Sequence, residues 1–158
     1  MQNRDKEGGR IMKVRECMSN KISYVSPDTT ASDVAKLMMD EHIGCVPVCD
    51  TNKRIVGLVT DRDLILRTIA CDKDVKQTPV SEIMTTTVYT AAPDSEVSEA
   101  KKIMSEWQIK RVPVVQNEEI IGIITVGDLA NSTNVDTTEV GTAVEGICRC
   151  GANAKNAE

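Results

Sequence analysis

The sequence predicts a mixed α/β (α+β) fold of two tandem repeats. Each repeat is expected to be a small three-stranded sheet with two helices, and the repeats are expected to pack as a pseudo-twofold pair. Two observations predict this fold: an internal repeat over most of the chain, and a hydrophobic period that changes from helical to strand-like within each copy. Since 41% of the 158 residues are hydrophobic but only 2% are aromatic, the core should be aliphatic.

The internal repeat appears when the chain is aligned with itself. Four pairs of segments match: residues 14–18 with 80–84, 26–28 with 92–94, 45–48 with 111–114, and 57–64 with 122–129. The first three pairs share one offset, and the fourth pair is displaced by a single residue. That deletion falls in a polar turn between two short β-branched runs, where a hairpin loop is predicted.

Each copy is predicted to contain a strand, a helix, a hairpin of two further strands and a second helix. The predicted first helices are residues 28–41 and 94–108, with apolar side chains on one face after a Ser/Thr/Asp-rich start. The predicted strands are residues 45–49, 55–60, 112–115 and 120–125. The second helices should begin near Asp61 and Val126, and the first of them should continue through Leu64, Ile65, Leu66 and Ile69.

These elements set the expected domain boundaries. Residues 12–72 form the first repeat, residues 73–79 a polar linker and residues 80–131 the second repeat. Residues 1–11 are expected to be disordered. Residues 132–158, rich in Thr, Asn, Gly and Ala, are expected to form a flexible tail.

Charge and hydropathy argue against several classes of partner. The net charge is -5, with 24 acidic and 19 basic residues, and no Lys/Arg-rich block occurs, so nucleic acid is not expected. No apolar stretch has the length of a membrane span and no export signal is evident, so we expect a cytoplasmic protein without membrane contact.

The six cysteines are expected to be reduced thiols. Cys45 and Cys49 fall in a predicted strand and should be buried, and no metal site is expected. Cys148 and Cys150 form a Cys-x-Cys pair, which is a weak signal for a metal site or a redox pair. Redox sensing through this pair is a third functional hypothesis, after the two given below.

The doubled pattern of Val-Pro followed by Gly-x-x-Thr-x-x-Asp resembles the CBS-pair family, also called Bateman modules. The resemblance covers about residues 12–131. It is strongest to short stand-alone bacterial members, which contain Thr-Asp-Arg-Asp-Leu, as at residues 60–64, and Arg-Val-Pro, as at residues 111–113.

The resemblance implies two clefts between the repeats that bind adenosine-containing ligands. Ribose hydroxyls would be taken by Asp63 and Asp128. Phosphate would be faced by Thr60, Arg62, Lys110, Arg111 and Thr125. Walls for the base would come from Val46, Pro47, Val112 and Pro113. The chemistry agrees, because a carboxylate accepts from two vicinal hydroxyls, whereas a hydroxyl group and helix-start amides suit an anion.

Structural roles remain open for the same residues. The two aspartates could stabilise helix starts, the two threonines could be helix caps, and the Val-Pro pairs could be core residues first. The basic side chains could be solvated or paired with acids. The copies also differ, because Lys110-Arg111 in the second stands where Gly44-Cys45 stands in the first. We therefore expect unequal sites, the better one combining Thr60 and Asp63 with Lys110 and Arg111.

These observations predict a regulatory module and not an enzyme, since His42 is the single histidine and no catalytic motif occurs. The expected ligand is AMP, ADP or ATP, with S-adenosylmethionine or NAD in second place. Expected partners are a second copy of the chain, through helix faces bearing Leu64, Ile65, Ile69 and Leu129, and an unidentified regulated protein. The alternative is a constitutive dimerisation or interaction module with empty clefts.

Overall fold

A computed structural model describes residues 11–131 together with residues 141, 144 and 145. The predicted disorder of residues 1–11 and the predicted flexible tail at 132–158 thus fall almost wholly outside the described residues. In the described part, the helices are α1 (Ala31–Glu41), α2 (Asp61–Arg67), α3 (Val97–Trp107) and α4 (Val126–Asn131). The strands are β1 (Cys45–Cys49), β2 (Ile55–Thr60), β3 (Arg111–Gln116) and β4 (Glu119–Thr125). Short 3-10 helices cover Val14–Glu16, Ile69–Cys71 and Val80–Glu82.

The mixed fold and both hairpins are confirmed, but each sheet has two strands and not three: β1 pairs with β2, and β3 pairs with β4. The predicted third strand is a single parallel bridge, from Val25 to Val48 and from Ala91 to Val114. Its next ladder bond would need an amide donor two residues further on, where Pro27 and Pro93 have none. Proline therefore stops the third strand after one residue.

The described residues group into two compact units. The first unit comprises residues 21–88 and 116–120, and the second comprises residues 11–20, 89–115 and 121–131. Each has its own aliphatic core. The core of the first unit contains Ala31, Val34, Met38, Val46, Val48, Val59, Val80 and Ile83. The core of the second unit contains Val14, Ala91, Val97, Ala100, Met104, Val112, Val114, Ile124 and Leu129.

The first segment of each copy packs in the unit that holds the other copy's helices. Val14, from the first copy, is fully buried in the second unit, where its N–H donates to the Ser95 carbonyl at 2.9 Å. Its counterpart Val80 is fully buried in the first unit and donates to the Thr29 carbonyl at 2.8 Å. Each unit therefore combines residues from both sequence copies.

A glycine in the second strand of each hairpin makes room for the segment that comes from the other copy. A Cβ atom at Gly122 would lie 2.8 Å from both the Met18 sulfur and the Ser19 carbonyl oxygen. A Cβ atom at Gly57 would press on the sulfur of Met84. Because Met18 and Met84 are themselves equivalent in the repeat, the same close approach occurs once in each unit.

Three details of the helices differ from the sequence-based expectations. Helices α1 and α3 each begin three residues later than predicted, at Ala31 and Val97. Helix α2 ends at Arg67, and Ile69 lies in a separate 3-10 helix. The break occurs at the buried Thr68, whose hydroxyl donates to the Leu64 carbonyl and so competes with the helical amide.

The predicted apolar dimer face is only partly exposed. Leu129 is 2% exposed and belongs to the core of the second unit, so the expectation that it lies on an outer face is wrong. Leu64 is half-buried against the core of the first unit. Ile65 and Ile69 are exposed, as is the neighbouring Leu66. No helix in the described part of the chain is both long and apolar enough to cross a membrane.

Candidate functional site

The first candidate site lies where β2 ends and α2 begins. The Asp63 carboxylate, through Oδ2, accepts from the backbone N–H of Thr60 at 2.9 Å and from the Thr60 hydroxyl at 2.7 Å. In return, the Asp63 N–H donates to Thr60 Oγ1 at 3.2 Å. These reciprocal bonds form a capping box, which satisfies amides at the start of a seven-residue helix.

The second unit repeats this arrangement where β4 ends and α4 begins. Asp128 Oδ2 accepts from the Thr125 N–H and from the Thr125 hydroxyl, both at 2.7 Å. The Asp128 N–H donates to Thr125 Oγ1 at 3.2 Å. The capping roles that the sequence left open are therefore present in both copies, and each uses one of the two oxygens of its carboxylate.

A third cap shows that Thr-x-x-Asp also occurs at a helix start without the preceding glycine of the doubled pattern. At the start of α1, the Thr30 hydroxyl donates to Asp33 Oδ2 at 2.9 Å, and the Asp33 N–H donates to Thr30 Oγ1 at 3.2 Å. The Asp33 side chain is 57% exposed, whereas that of Asp63 is only 15% exposed. Hydrogen bonds from Lys36 and Thr30 hold the pKa of Asp33 below its usual value. The two candidate sites differ from this cap by following a strand that contains a buried glycine.

The remaining oxygen, Oδ1, is in different surroundings in the two candidate sites. Asp63 Oδ1 faces the Nε of Arg67 at 3.5 Å. The same guanidinium donates through Nη1 to the carbonyls of Ile83 at 2.8 Å and Met84 at 3.1 Å. No ion pair within the described residues reaches Asp128. Arg67 was not among the predicted site residues. Its only signal in the sequence was its position four residues after Asp63.

The candidate phosphate-facing cations are spread over both units. Arg62 is exposed on α2, and Lys110 and the half-buried Arg111 stand at the start of β3. The carbonyl of Lys110 accepts from the N–H of Val126 at 3.1 Å, so the Lys110 backbone lies beside the Thr125–Asp128 cap in the second unit. No ion pair to Arg62, Lys110 or Arg111 occurs among the residues that the structure describes. The combined site of Thr60 and Asp63 with these two β3 cations stays a prediction.

The candidate base-pocket residues have clear structural roles. Val46 and Val112 are fully buried in the two cores. Pro47 and Pro113 are buried in β1 and β3. The Pro47 carbonyl accepts the N–H of Val25 at 3.0 Å, and the Pro113 carbonyl accepts that of Ala91 at 3.0 Å. These four residues form the strands beneath the candidate sites, and any contact with a ligand is additional to that role.

One equivalent pair of positions carries different chemistry in the two units, and sequence reasoning missed it. In the first unit the Ser23 hydroxyl donates to the Glu41 carboxylate at 2.6–2.7 Å. In the second unit the equivalent positions hold Tyr89 and Trp107, whose rings stack with centroids 4.1 Å apart. Each pair connects the segment that precedes the first helix of its copy with the last residue of that helix. The alignment of the copies would have shown the pairing if both members had been compared together.

The thiols of Cys17 and Cys49 are poorly suited to nucleophilic or redox chemistry. Burial raises the pKa of Cys49 to about 11. Burial, with smaller contributions from Glu16 and Asp128, raises the pKa of Cys17. No group of three metal-ligating side chains occurs within residues 11–131. Cys148 and Cys150, and the redox hypothesis that rests on them, lie outside the described residues.

Comparison with known proteins identifies the family. The model of the CBS domain matches residues 14–68 and 80–133. The CBS domain-containing protein YhcV of Bacillus subtilis is 37% identical over 120 residues, which cover 76% of this chain and 84% of that protein. Hypoxic response protein 1 of Mycobacterium tuberculosis is 28% identical over 116 residues, covering 73% of this chain and 81% of that protein.

A solved structure agrees with these sequence matches. The CBS domain pair of protein MJ0100, in complex with 5′-methylthioadenosine and S-adenosyl-L-methionine, is similar with a TM-score of 0.69 and 27% identity, covering 76% of this chain and 94% of that chain. The family match spans more than half of the chain and includes both copies of the repeat. The resemblance seen in the sequence is thus confirmed: the chain belongs to the CBS domain family and carries two CBS domains in tandem.

Proposed function

We propose that this chain is a non-catalytic regulatory module that binds an adenosyl ligand, with AMP, ADP or ATP as the first candidates. Asp63 and Asp128 are the proposed ribose acceptors, and Thr60 and Thr125 face the phosphate or its equivalent. The observation that carries the proposal is the occurrence, in both units, of a partly buried carboxylate that caps a helix through one oxygen. A second oxygen is then left to accept from a vicinal diol.

The ligands of a similar protein support the same chemistry. Both ligands of the MJ0100 domain pair, 5′-methylthioadenosine and S-adenosyl-L-methionine, contain adenosine, and neither carries a phosphate. Recognition of the nucleoside is therefore the feature to expect of the site. The exposed cations Arg62 and Lys110, together with Arg111, extend the proposal to nucleotides, since they can face the negative charge of a phosphate.

A regulatory role requires that ligand binding changes something outside the site. A ligand shifts a conformational equilibrium only through its different affinities for the two states. In this chain the candidate aspartates stand on short helices that adjoin the segments exchanged between the copies. We propose that occupancy changes how these segments pack, and through them the association of the chain with a second copy or with a regulated protein.

The proposal that the module is non-catalytic rests on its ionisable groups. His42 is the only histidine of the sequence, and it is an exposed residue that ends α1 with a left-handed backbone, φ 55°. It has no hydroxyl or thiol nucleophile among its described hydrogen-bond partners. The thiols of Cys17 and Cys49 have raised pKa values, which lowers the fraction of reactive thiolate at neutral pH.

Calorimetry with matched variants tests ribose recognition. AMP, ATP, S-adenosylmethionine and 5′-methylthioadenosine are titrated into the wild type, Asp63→Ala and Asp128→Ala, each beside a 2′-deoxy analogue. Loss of a hydrogen bond to a charged group should cost about 1.5–3 kcal/mol, so the responsible variant should bind about tenfold to a hundredfold more weakly. The deoxy sugar should weaken binding to the wild type and matter less once that aspartate is gone, because both changes remove one interaction.

Asp33→Ala is the control, because it removes a more exposed Thr-Asp cap outside the candidate sites. It should lower stability less than the other two variants do and leave ligand binding unchanged. If Asp33→Ala weakens binding as much as Asp63→Ala and Asp128→Ala do, the effect comes from lost stability. If none of the four ligands binds the wild type at millimolar concentration, the proposal is wrong for this ligand class.

A constitutive dimerisation or interaction module is the second candidate function. It is favoured by the caps themselves, since both aspartates have a complete structural role without a ligand. It is also favoured by the exposed side chains of Ile65, Leu66 and Ile69 near the end of α2. Dimerisation that is identical with and without every adenosyl ligand would support this candidate over the first.

A further inference from the structure

The two candidate ribose carboxylates are equivalent in sequence but not in their ionic surroundings. In the first unit, Arg67 stands one helical turn after Asp63 and its Nε lies 3.5 Å from Oδ1, the oxygen that the cap leaves over. In the second unit, the position equivalent to Arg67 is Ser132, so the sequence places no cation there. Oδ1 of Asp128 has no ion-pair partner within the described residues.

Arg67 is held in this place by a second set of contacts. Its Nη1 donates to two consecutive carbonyls, of Ile83 at 2.8 Å and Met84 at 3.1 Å. Ile83 is fully buried, so this backbone is part of the core of the first unit. A guanidinium that is anchored on fixed carbonyls loses little further freedom when it also faces a carboxylate. The Asp63–Arg67 contact is therefore more than a fluctuating surface pair.

We propose that Arg67 makes Asp63 the weaker of the two ribose acceptors and leaves Asp128 as the primary one. This inference rests on the proposed function, and it names the residue that sets the inequality between the sites. A vicinal diol at Asp63 must donate to the same oxygen that Arg67 Nε faces, whereas a diol at Asp128 meets no such competitor among the residues that the structure describes. An i,i+4 ion pair whose arginine side chain is 46% exposed changes an equilibrium by about two- to fivefold.

Arg67 also connects the Asp63 site to the backbone of residues 84–85, which pairs with β2. Met84, whose carbonyl Arg67 holds, is followed by Thr85, which exchanges backbone hydrogen bonds with Leu58 of β2 at 2.8 and 2.9 Å. A ribose hydroxyl that donates to Asp63 Oδ1 competes with Arg67 Nε for that oxygen, and so changes the hold of Arg67 on this segment. The first unit then acts as the responsive site, and the second as the tighter one.

The test uses adenosine, because a neutral ligand separates ribose recognition from attraction of Arg67 to a phosphate. Binding of adenosine and 2′-deoxyadenosine is measured by calorimetry in an Asp128→Ala chain, where only the Asp63 site can recognise ribose, with and without Arg67→Gln. We expect Arg67→Gln to tighten adenosine about two- to fivefold and to leave 2′-deoxyadenosine unchanged. In an Asp63→Ala chain the same substitution should have no effect.

Arg54→Gln is the matched control, since it removes one positive charge from the same unit. Arg54 pairs with Glu118 at 3.0 Å and has no contact with Asp63. It should leave adenosine binding unchanged in both chains. Arg67→Met, which keeps the length of the side chain, replaces Arg67→Gln if thermal melting shows that the glutamine variant does not fold.

Each remaining outcome is decisive. Unchanged or weaker adenosine binding in the Asp128→Ala, Arg67→Gln chain overturns the inference while the proposed function stands. Weaker AMP binding with unchanged adenosine binding would mean that Arg67 faces phosphate, which also overturns it. If neither adenosine nor AMP binds to any of these chains, including the wild type, the proposed function fails and the inference fails with it.

Discussion

Gly122 lies on β4 in close contact with the segment that the first copy contributes to the second unit. A methyl group at this position would lie 2.8 Å from both Met18 Sδ and the Ser19 carbonyl oxygen. Ser19 and Ile123 exchange two backbone hydrogen bonds, of 2.9 and 3.1 Å. The methionine can rotate away, but the carbonyl cannot retreat without lengthening these bonds. Gly122→Ala should therefore destabilise the second unit.

The magnitude follows from three contributions. Overpacking of a close contact costs about 1–3 kcal/mol. Weakening one of the two backbone hydrogen bonds costs about 0.5–1.5 kcal/mol. Alanine lowers the entropy of the unfolded chain, which offsets about 0.4–1 kcal/mol of this. We expect the free energy of unfolding to fall by about 0.5–4 kcal/mol in Gly122→Ala.

Urea unfolding followed by the fluorescence of Trp107, which lies in the second unit, measures this change. Gly127→Ala is the control, because a Cβ there meets only the Thr125 hydroxyl at 3.5 Å, an ordinary contact, within α4. It should stabilise by about 0.4–1 kcal/mol. If Gly122→Ala proves as stable as Gly127→Ala, the close approach of the exchanged segment is wrong.

Three further predictions concern thiols, association and the aromatic pair. At pH 8 the Cys49 thiol, with its pKa of about 11, is ionised in about one molecule in a thousand, whereas Cys71 is exposed. Iodoacetamide should therefore label Cys71 first, and the rate of labelling at Cys49 should rise about tenfold per pH unit. Peptide mass spectrometry measures both. If the chain dimerises through the exposed side chains of Ile65, Leu66 and Ile69, Ile69→Lys should shift light scattering from dimer to monomer, and an unchanged mass would contradict that face. Tyr89→Ala should lower the free energy of unfolding by about 0.5–1.5 kcal/mol beyond its loss of buried area, because it removes the stack on Trp107.

Periodicity and self-alignment were sufficient to predict the class of the fold. The hairpins are local structures, and their β-branched runs and polar turns lie within a few residues of each other. The caps were also predictable, since Thr60 and Asp63, like Thr125 and Asp128, are three residues apart at the start of a helix. The third strand failed as a prediction because one proline near its start decides how many ladder bonds can form.

The sequence could not show which unit each opening segment joins. Self-alignment shows that Val14 and Val80 are equivalent in sequence. It does not show whether a segment packs on its own copy or on the other. That choice depends on the course of the chain between the copies, which no local pattern encodes. Arg67 was missed for a related reason: its partners Ile83 and Met84 are contributed by that exchange.

The exchange of opening segments means that half of this chain is not half of the structure. A fragment of residues 12–72 would lack Val80 and Ile83 from its core, and a fragment of residues 73–131 would lack Val14 from its own. Neither fragment contains a complete hydrophobic core, whereas the two fragments together contain the residues of both cores. A single repeat could meet the same requirements only as two chains that exchange their first segments, and the tandem arrangement converts that concentration-dependent association into an intramolecular one.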